Sequence, residues 1–239
     1  MSYSIGPGPL TPAIKAIVVV NVAAYVLGWV LPSMHVYLGL IPGAVVERFW
    51  VWQPVTYMFL HGGLFHLLFN MLALWMFGVE LERVWGTAFF TKFYFVAGIG
   101  AAATTILLSL APFSFAEDIY VSITVGASGS IYGLLLAYAM YYPKRPIYLY
   151  MLFPIPARVF VLIIGAISLF SSIQEPRGGV AHVTHLGGLI AGYLYLKGGR
   201  GGFIGLFRYR FDQWRRGSRK RRFDVVQGGR KEGPNRWVH

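Results

Sequence analysis

The feature that most constrains this chain is a succession of apolar runs, each close to the length a helix needs to cross a bilayer. They fall at Ile14–Leu31, Tyr57–Val79, Phe89–Ala111, Gly126–Tyr142, Ala157–Ile173 and Val180–Leu196. A spanning helix takes about 20 mostly apolar residues. Of the 239 residues 56% are hydrophobic and only 13% charged, about half the charged share of an ordinary soluble domain. Material this apolar does not stay unburied in water, which excludes disorder over most of the chain. Nor do 29 glycines and 17% aromatic residues, spread through near-continuous apolar runs, suit a soluble core. The expected fold is an all-α membrane protein with six transmembrane helices. The first run has no basic segment ahead of it and further spans follow, so it is not read as a cleaved signal.

Between the first two runs lies Pro32–Thr56, with Phe49, Trp50 and Trp52. Tryptophan favours the headgroup level, so this first loop is expected in the membrane interface. An even number of spans puts both termini on one side. That side collects Lys15, Arg83, Lys92, Lys144, Arg145 and Arg158, against Arg48 and Arg177 on the other. By the positive-inside rule both termini are cytoplasmic.

The net charge of +12 is unevenly spread. Met1–Lys197 holds 9 Lys/Arg against 6 Asp/Glu, and Gly198–His239 holds 12 against 3. The chain therefore divides into a nearly neutral membrane domain, residues 1–197, and a basic cytoplasmic tail, residues 198–239. In the tail, Phe203, Phe207, Phe211 and Trp214 recur at helical spacing among Arg208, Arg210, Arg215 and Arg216. An aromatic face beside an arginine face suits an interfacial helix on an anionic lipid leaflet. Nucleic acid is the other partner such charge could attract, but no nucleic-acid-binding motif accompanies it and none is expected to bind.

Polar side chains inside apolar spans are costly and mark function by default. Three segments carry them: His61-Gly-Gly-Leu-Phe-His66-Leu-Leu-Phe-Asn70, Gly126-Ala-Ser128-Gly129-Ser130, and Ala181-His182-Val-Thr-His185-Leu-Gly-Gly188. Ser128 sits where a glycine-bearing turn enters a span. Near a helix N-terminus its amide N–H lacks an intrahelical acceptor, so the residue offers both a hydroxyl nucleophile and an oxyanion donor. Small-residue packing is the competing account of Gly126-x-Ser128-Gly129. His185 tips the balance, because a serine hydroxyl needs a base and neutral imidazole serves near pH 7. Gly129 and Gly133 on one helix, and Gly188 and Gly192 on the other, have the spacing that lets helix backbones approach closely. Packed together, those helices would bring Ser128 and His185 within hydrogen-bond reach.

Tyr132, four residues after Ser128, lies on the same helix face and either supports the imidazole or fills the core. His66 and Asn70 are likewise four apart; their N–H groups either bind an oxyanion or join helices as a buried polar pair. His61 and His182 carry no assigned role. A metal site is the chemical rival, since four histidines fall in these segments. The chain has no cysteine, no His-Glu-x-x-His and no carboxylate inside either histidine segment, so no metal and no cofactor are expected. The lack of a placed carboxylate also points to a Ser–His dyad without a third member.

Taken together, these residues resemble the rhomboid family of intramembrane serine proteases over roughly Ile14–Leu196. His61…His66-Leu-Leu-Phe-Asn70 is similar to the family's second-span motif, Gly126-Ala127-Ser128-Gly129 to its G-x-S-G, and His185-Leu-Gly-Gly188 with Gly192 to its last span. Leu81-Glu82 and Gly86 resemble a structural motif that the family carries in the loop after the second span. The resemblance implies a six-helix rhomboid-like bundle with a membrane-embedded first loop, Pro32–Thr56, and a cap, Ser171–Gly179. It implies Ser128 as nucleophile, His185 as general base, and the Ser128 amide, His66 and Asn70 as the oxyanion hole. Tyr132 would stack on the imidazole. The implied substrates are single-span or other transmembrane proteins, cut in a cavity open to the extracytoplasmic side of the cell membrane. One departure is Trp52-Gln53, where the family often has Trp-Arg, the arginine being structural; the change bears on the stability of the loop. A client-binding relative without protease activity is the alternative of another class, but such proteins typically lack the serine or histidine present here. A six-span transporter would predict internal repeats, and the sequence has none.

Overall fold

Pro12 occupies the first turn of the first helix, where a missing N–H and a fixed φ do no harm, and opens α1 (Pro12–Val30). The computed structural model describes residues 7–112, 116–149, 153–174 and 179–198, and these are mostly helical. α1 buries Ala13, Ile14, Ile17, Asn21 and Gly28, while Val19, Val22, Val26, Trp29 and Val30 face outward. A helix apolar on every side needs lipid or protein around it.

The first loop folds into three short helices, α2 (Met34–Leu38), α3 (Pro42–Glu47) and α4 (Gln53–Thr56). Gln53 is fully buried at its centre. Its Oε1 accepts the Ile41 N–H at 2.9 Å, and its Nε2 donates to the carbonyls of Val36 (3.2 Å) and Tyr37 (3.4 Å). Trp52 donates its indole N–H to Tyr37 at 2.8 Å, and the Tyr37, Trp50 and Trp52 rings pack in series. An amide with both a donor and an acceptor thus ties the loop from within. Leu40 also pairs with Thr124 through an isolated antiparallel bridge, joining the loop to the segment that precedes Ser128.

The second run shifts relative to its expected bounds of Tyr57–Val79. Gly62 and Gly63 keep the chain out of helix, and the rod starts at Leu64. It comprises α5 (Leu64–Ala73), a wide turn of five residues, Leu74–Gly78, and α6 (Val79–Trp85), and ends at Gly86, whose φ of 80° suits glycine. Leu81 and Glu82 are therefore in the last helix of this rod, not in the loop after it. Glu82 is buried and accepts hydrogen bonds from Thr11 Oγ1, the Ala13 N–H (2.9 Å), the Ile14 N–H (3.1 Å) and Thr87 Oγ1 (2.7 Å). One carboxylate thus satisfies orphan donors at the start of α1 and braces the start of the next helix, where the helix dipole favours an anion.

That next helix, α7 (Thr87–Ser109), is the central post. Phe90, Phe93, Tyr94, Ala97, Gly98, Ala101, Ala102 and Thr105 are buried along it. A short helix, α8 (Ala116–Val121), leads toward α9 (Ser128–Tyr141); α10 (Ala157–Gln174) and α11 (Gly179–Gly198) follow. α9 and α11 pack on α7 and on each other. Among the described residues three segments are long and apolar enough to cross a membrane, by length and composition: α1, the α5–α6 rod and α7.

Two short strands depart from the all-helical expectation. β1 (Pro146–Leu149) and β2 (Phe153–Pro156) pair antiparallel between α9 and α10, with Ile147 opposite Ile155. Pro146, Pro154 and Pro156 cannot continue a helix, and a two-stranded ribbon has edges on which proline is tolerated. Arg145, just before β1, forms an ion pair with Glu80 of α6. The proposed interfacial helix of the tail and the centre of the expected cap, residues 175–178, lie outside the described residues.

Candidate active site

Ser128 is the first residue of α9, so its N–H is one of the four that a helix leaves without an internal acceptor. The turn before it depends on Gly126, at φ 129°, a conformation L side chains rarely adopt. A methyl group at Gly126 would also meet the His66 ring, at 2.8 Å from Cε1 and 2.9 Å from Nε2, and would lie 3.6 Å from Ser128 Oγ. His66 and Ser128 therefore border one small space beside Gly126, kept open because no Cβ fills it.

His185, on α11, presents Nε2 at 2.8 Å from Ser128 Oγ. With the ring proton on Nδ1, the serine hydroxyl donates to Nε2, which is the arrangement for taking its proton. Tyr132 lies flat on the imidazole, with ring centroids 4.2 Å apart and planes 8° from parallel. Its own hydroxyl accepts a hydrogen bond from Ser168 of α10 at 3.3 Å. The stack restrains the ring about the axis that would swing Nε2 away from the serine. His182 meets His185 edge-on at 5.9 Å. His185 Nδ1 is buried with no hydrogen-bond partner among the described residues.

The close approach of α9 and α11 is a matter of missing side chains. A Cβ on Gly188 would collide with the Gly129 carbonyl oxygen, and one on Gly192 would lie 3.0 Å from Gly133 Cα. Gly129 and Gly133 face α7 as well, where a Cβ on either would come 2.7 Å from Ala101 or Ala97. Ala or Val at these positions would push the helices apart and lengthen the Ser128–His185 contact with them.

On the rod opposite, His66 Nδ1 accepts the Gly62 N–H at 3.4 Å. In a neutral ring that leaves the proton on Nε2, the nitrogen turned toward Gly126. Asn70, one turn further on the same face, donates an amide N–H to the His66 carbonyl at 2.7 Å, and its second N–H is left for another acceptor. His61 is buried at the same corner, its ring edge-on to His66 at 5.0 Å, and neither ring nitrogen has a partner among the described residues. Among the described residues no three metal-ligating side chains converge.

Comparison with known proteins now bears on this geometry. The rhomboid-domain family model matches residues 48–199. The chain belongs to the rhomboid family. Rhomboid-like protein 1 of Arabidopsis thaliana is 28% identical over 202 residues, which cover 81% of this chain and 44% of that protein. Rhomboid protease AarA of Providencia stuartii is 32% identical over 154 residues, 60% of this chain and 54% of the relative. Rhomboid protease GluP of Bacillus subtilis is 31% identical over 144 residues, 59% of this chain and 25% of the relative. The chain spans about half the length, or less, of these curated relatives. A rhomboid chain with three helices of spanning length and composition is a membrane protein.

The rhomboid domain holds two groups near Ser128 that sequence reasoning passed over. Ser168 is a hydroxyl well inside the fifth apolar run, a signal that the cost of intramembrane polar groups could have raised. Tyr57 offers no such signal, because an aromatic residue at the head of an apolar run reads as core.

Proposed function

We propose that this chain is a membrane-embedded serine endopeptidase that cuts other membrane proteins in or near their transmembrane segments. The observation that carries the reading is the 2.8 Å contact between His185 Nε2 and Ser128 Oγ, made by residues 57 apart in sequence. Ser128 Oγ attacks the substrate carbonyl carbon while His185 takes the hydroxyl proton, giving a tetrahedral oxyanion. The Ser128 N–H, His66 Nε2–H and the second amide N–H of Asn70 stabilise that oxyanion. Its collapse breaks the C–N bond, and His185 returns the proton to the leaving amine, leaving an acyl-enzyme on Ser128. Water, deprotonated by His185, then hydrolyses the ester. Tyr132 keeps the imidazole in plane throughout. The naming of two relatives as rhomboid proteases supports the same chemistry.

Around this site we propose six membrane crossings, formed by α1, the α5–α6 rod, α7, α9, α10 and α11, with the first loop in the extracytoplasmic interface. Residues 1–197 form the catalytic domain. Residues 198–239 form a cytoplasmic tail that binds an anionic leaflet, and the site opens on the opposite side of the cell membrane. Apolar side chains such as Phe65, Phe69, Leu162 and Phe170 face outward and suit lipid contact.

The test is cleavage of a panel of single-span substrates by the purified chain in detergent, beside Ser128→Ala. The variant should remain folded and lose cleavage by at least about a thousandfold, as loss of a nucleophile does. Undiminished cleavage by Ser128→Ala overturns the assignment. A fluorophosphonate should label the wild-type chain and fail to label His185→Ala; equal labelling removes His185 as the base.

A further inference from the structure

Tyr57 is 1% exposed, in the turn between the first loop and α5, and both of its polar ends are in use. Its carbonyl accepts the Gly126 N–H at 2.9 Å. Its hydroxyl donates to the Gly98 carbonyl of α7 at 2.7 Å. A Cβ on Gly129 would lie 3.1 Å from that hydroxyl, so the side chain passes directly against the first turn of α9. One residue therefore joins the lead-in to Ser128, the first turn of its helix, and the central post.

Building on the serine chemistry proposed above, we propose that Tyr57 is a positioning residue that sets where Ser128 stands relative to His185. The two members of the dyad arrive on different helices, and each is fitted to α7. α11 is seated there by close packing, Gly187 against Thr104 and Ala101, and Ala191 against Gly100. The Gly126–Ser128 lead-in is seated there by Tyr57. The Oγ–Nε2 separation thus depends on both attachments to α7 as well as on the direct contact of α9 with α11 at Gly129 and Gly188. The Leu40–Thr124 bridge steadies the same lead-in from the first loop, which carries no part of the dyad.

Removing only the hydroxyl is a mild change. The Gly98 carbonyl lies within α7 and keeps the acceptor role that helix geometry gives it. The ring still fills its space. What is lost is one polar tie of the lead-in to α7, leaving the Ser130 hydroxyl on the Tyr94 carbonyl two residues after Ser128, so Ser128 spends less time in attack geometry. Positioning errors of this kind act on the chemical step more than on substrate binding.

The experiment uses the full chain in detergent with a cleaved transmembrane segment, comparing wild type, Tyr57→Phe, and Tyr57 replaced by 4-aminophenylalanine, whose N–H can donate to Gly98. For Tyr57→Phe the expected result is near-wild-type thermal unfolding, kcat lowered about tenfold with KM unchanged, and fluorophosphonate labelling slowed about as much. The amino side chain should restore most of the rate. Wild-type kcat in Tyr57→Phe overturns the proposal. So does a raised KM at unchanged kcat, which marks substrate binding, or failure to fold, which marks a purely structural role. A wild-type chain that neither cleaves nor labels defeats the serine reading and this proposal with it; an active wild type matched by Tyr57→Phe defeats this proposal alone.

Discussion

One missing Cβ shapes the space beside Ser128. Gly126 combines a positive φ with a neighbouring imidazole, so an alanine there is both strained and in contact with His66. Strain of this kind costs about 1–3 kcal/mol. Gly126→Ala is expected to fold but to lose about tenfold to a hundredfold in fluorophosphonate labelling rate, read by gel fluorescence against time. Glu82 is the contrasting case, a buried carboxylate whose four hydrogen bonds serve stability. Glu82→Gln keeps the shape but turns two acceptor oxygens into one oxygen and one NH2. The expected loss is about 1.5–3 kcal/mol, seen as a lower thermal midpoint in detergent with labelling at low temperature retained. Both residues stood out in the sequence through their motifs. What Glu82 touches did not, because its partners Thr11, Ala13 and Ile14 are about 70 positions away.

At the scale of elements, the packing of α9 on α11 is controlled by glycine. The facing pairs Gly129/Gly133 and Gly188/Gly192 were legible from their spacing, which needs only helical periodicity. The rod boundaries were not. Tyr57–Val79 is an apolar stretch by composition, yet Tyr57–Phe59 form a separate 3-10 turn, the rod begins only after Gly62 and Gly63, and Glu82 continues the helix beyond the stretch. Hydropathy averages over such details, whereas backbone conformation and hydrogen bonding decide them. Likewise the sequence left 146–156 between two apolar runs, and strand pairing there, a relation between separate segments, was not legible from hydropathy. Gly188→Val tests the helix contact: its side chain meets the Gly129 carbonyl oxygen, and overpacking of this kind costs about 1–3 kcal/mol or more. The expected outcome is a lower thermal midpoint together with lost labelling. Gly198→Val, at the end of the same helix where a Cβ meets no atom of the described residues, should change neither.

At the scale of the whole molecule, the proposed topology puts the hairpin side and the α8 side on opposite faces of the membrane. The chain has no cysteine, so single replacements report without background. Lys144 and Val121 are both exposed. In sealed inside-out vesicles an impermeant maleimide should react with Lys144→Cys and not with Val121→Cys, and the pattern should reverse in right-side-out vesicles. Reaction of both from one side would overturn the crossing pattern between them.

The sequence by itself determined that this is an apolar, mostly helical chain with its polar exceptions concentrated in three segments. It could do so because hydropathy and helical periodicity are properties of neighbours along the chain. Only the tertiary structure decided that Ser128 and His185 stand 2.8 Å apart, that Tyr132 lies flat on the imidazole, that Gln53 ties the first loop from within, and that the Tyr57 carbonyl accepts the Gly126 N–H. Those relations join residues tens of positions apart. Their distances depend on how closely whole helices pack, which is set where Gly188 meets the backbone of Gly129.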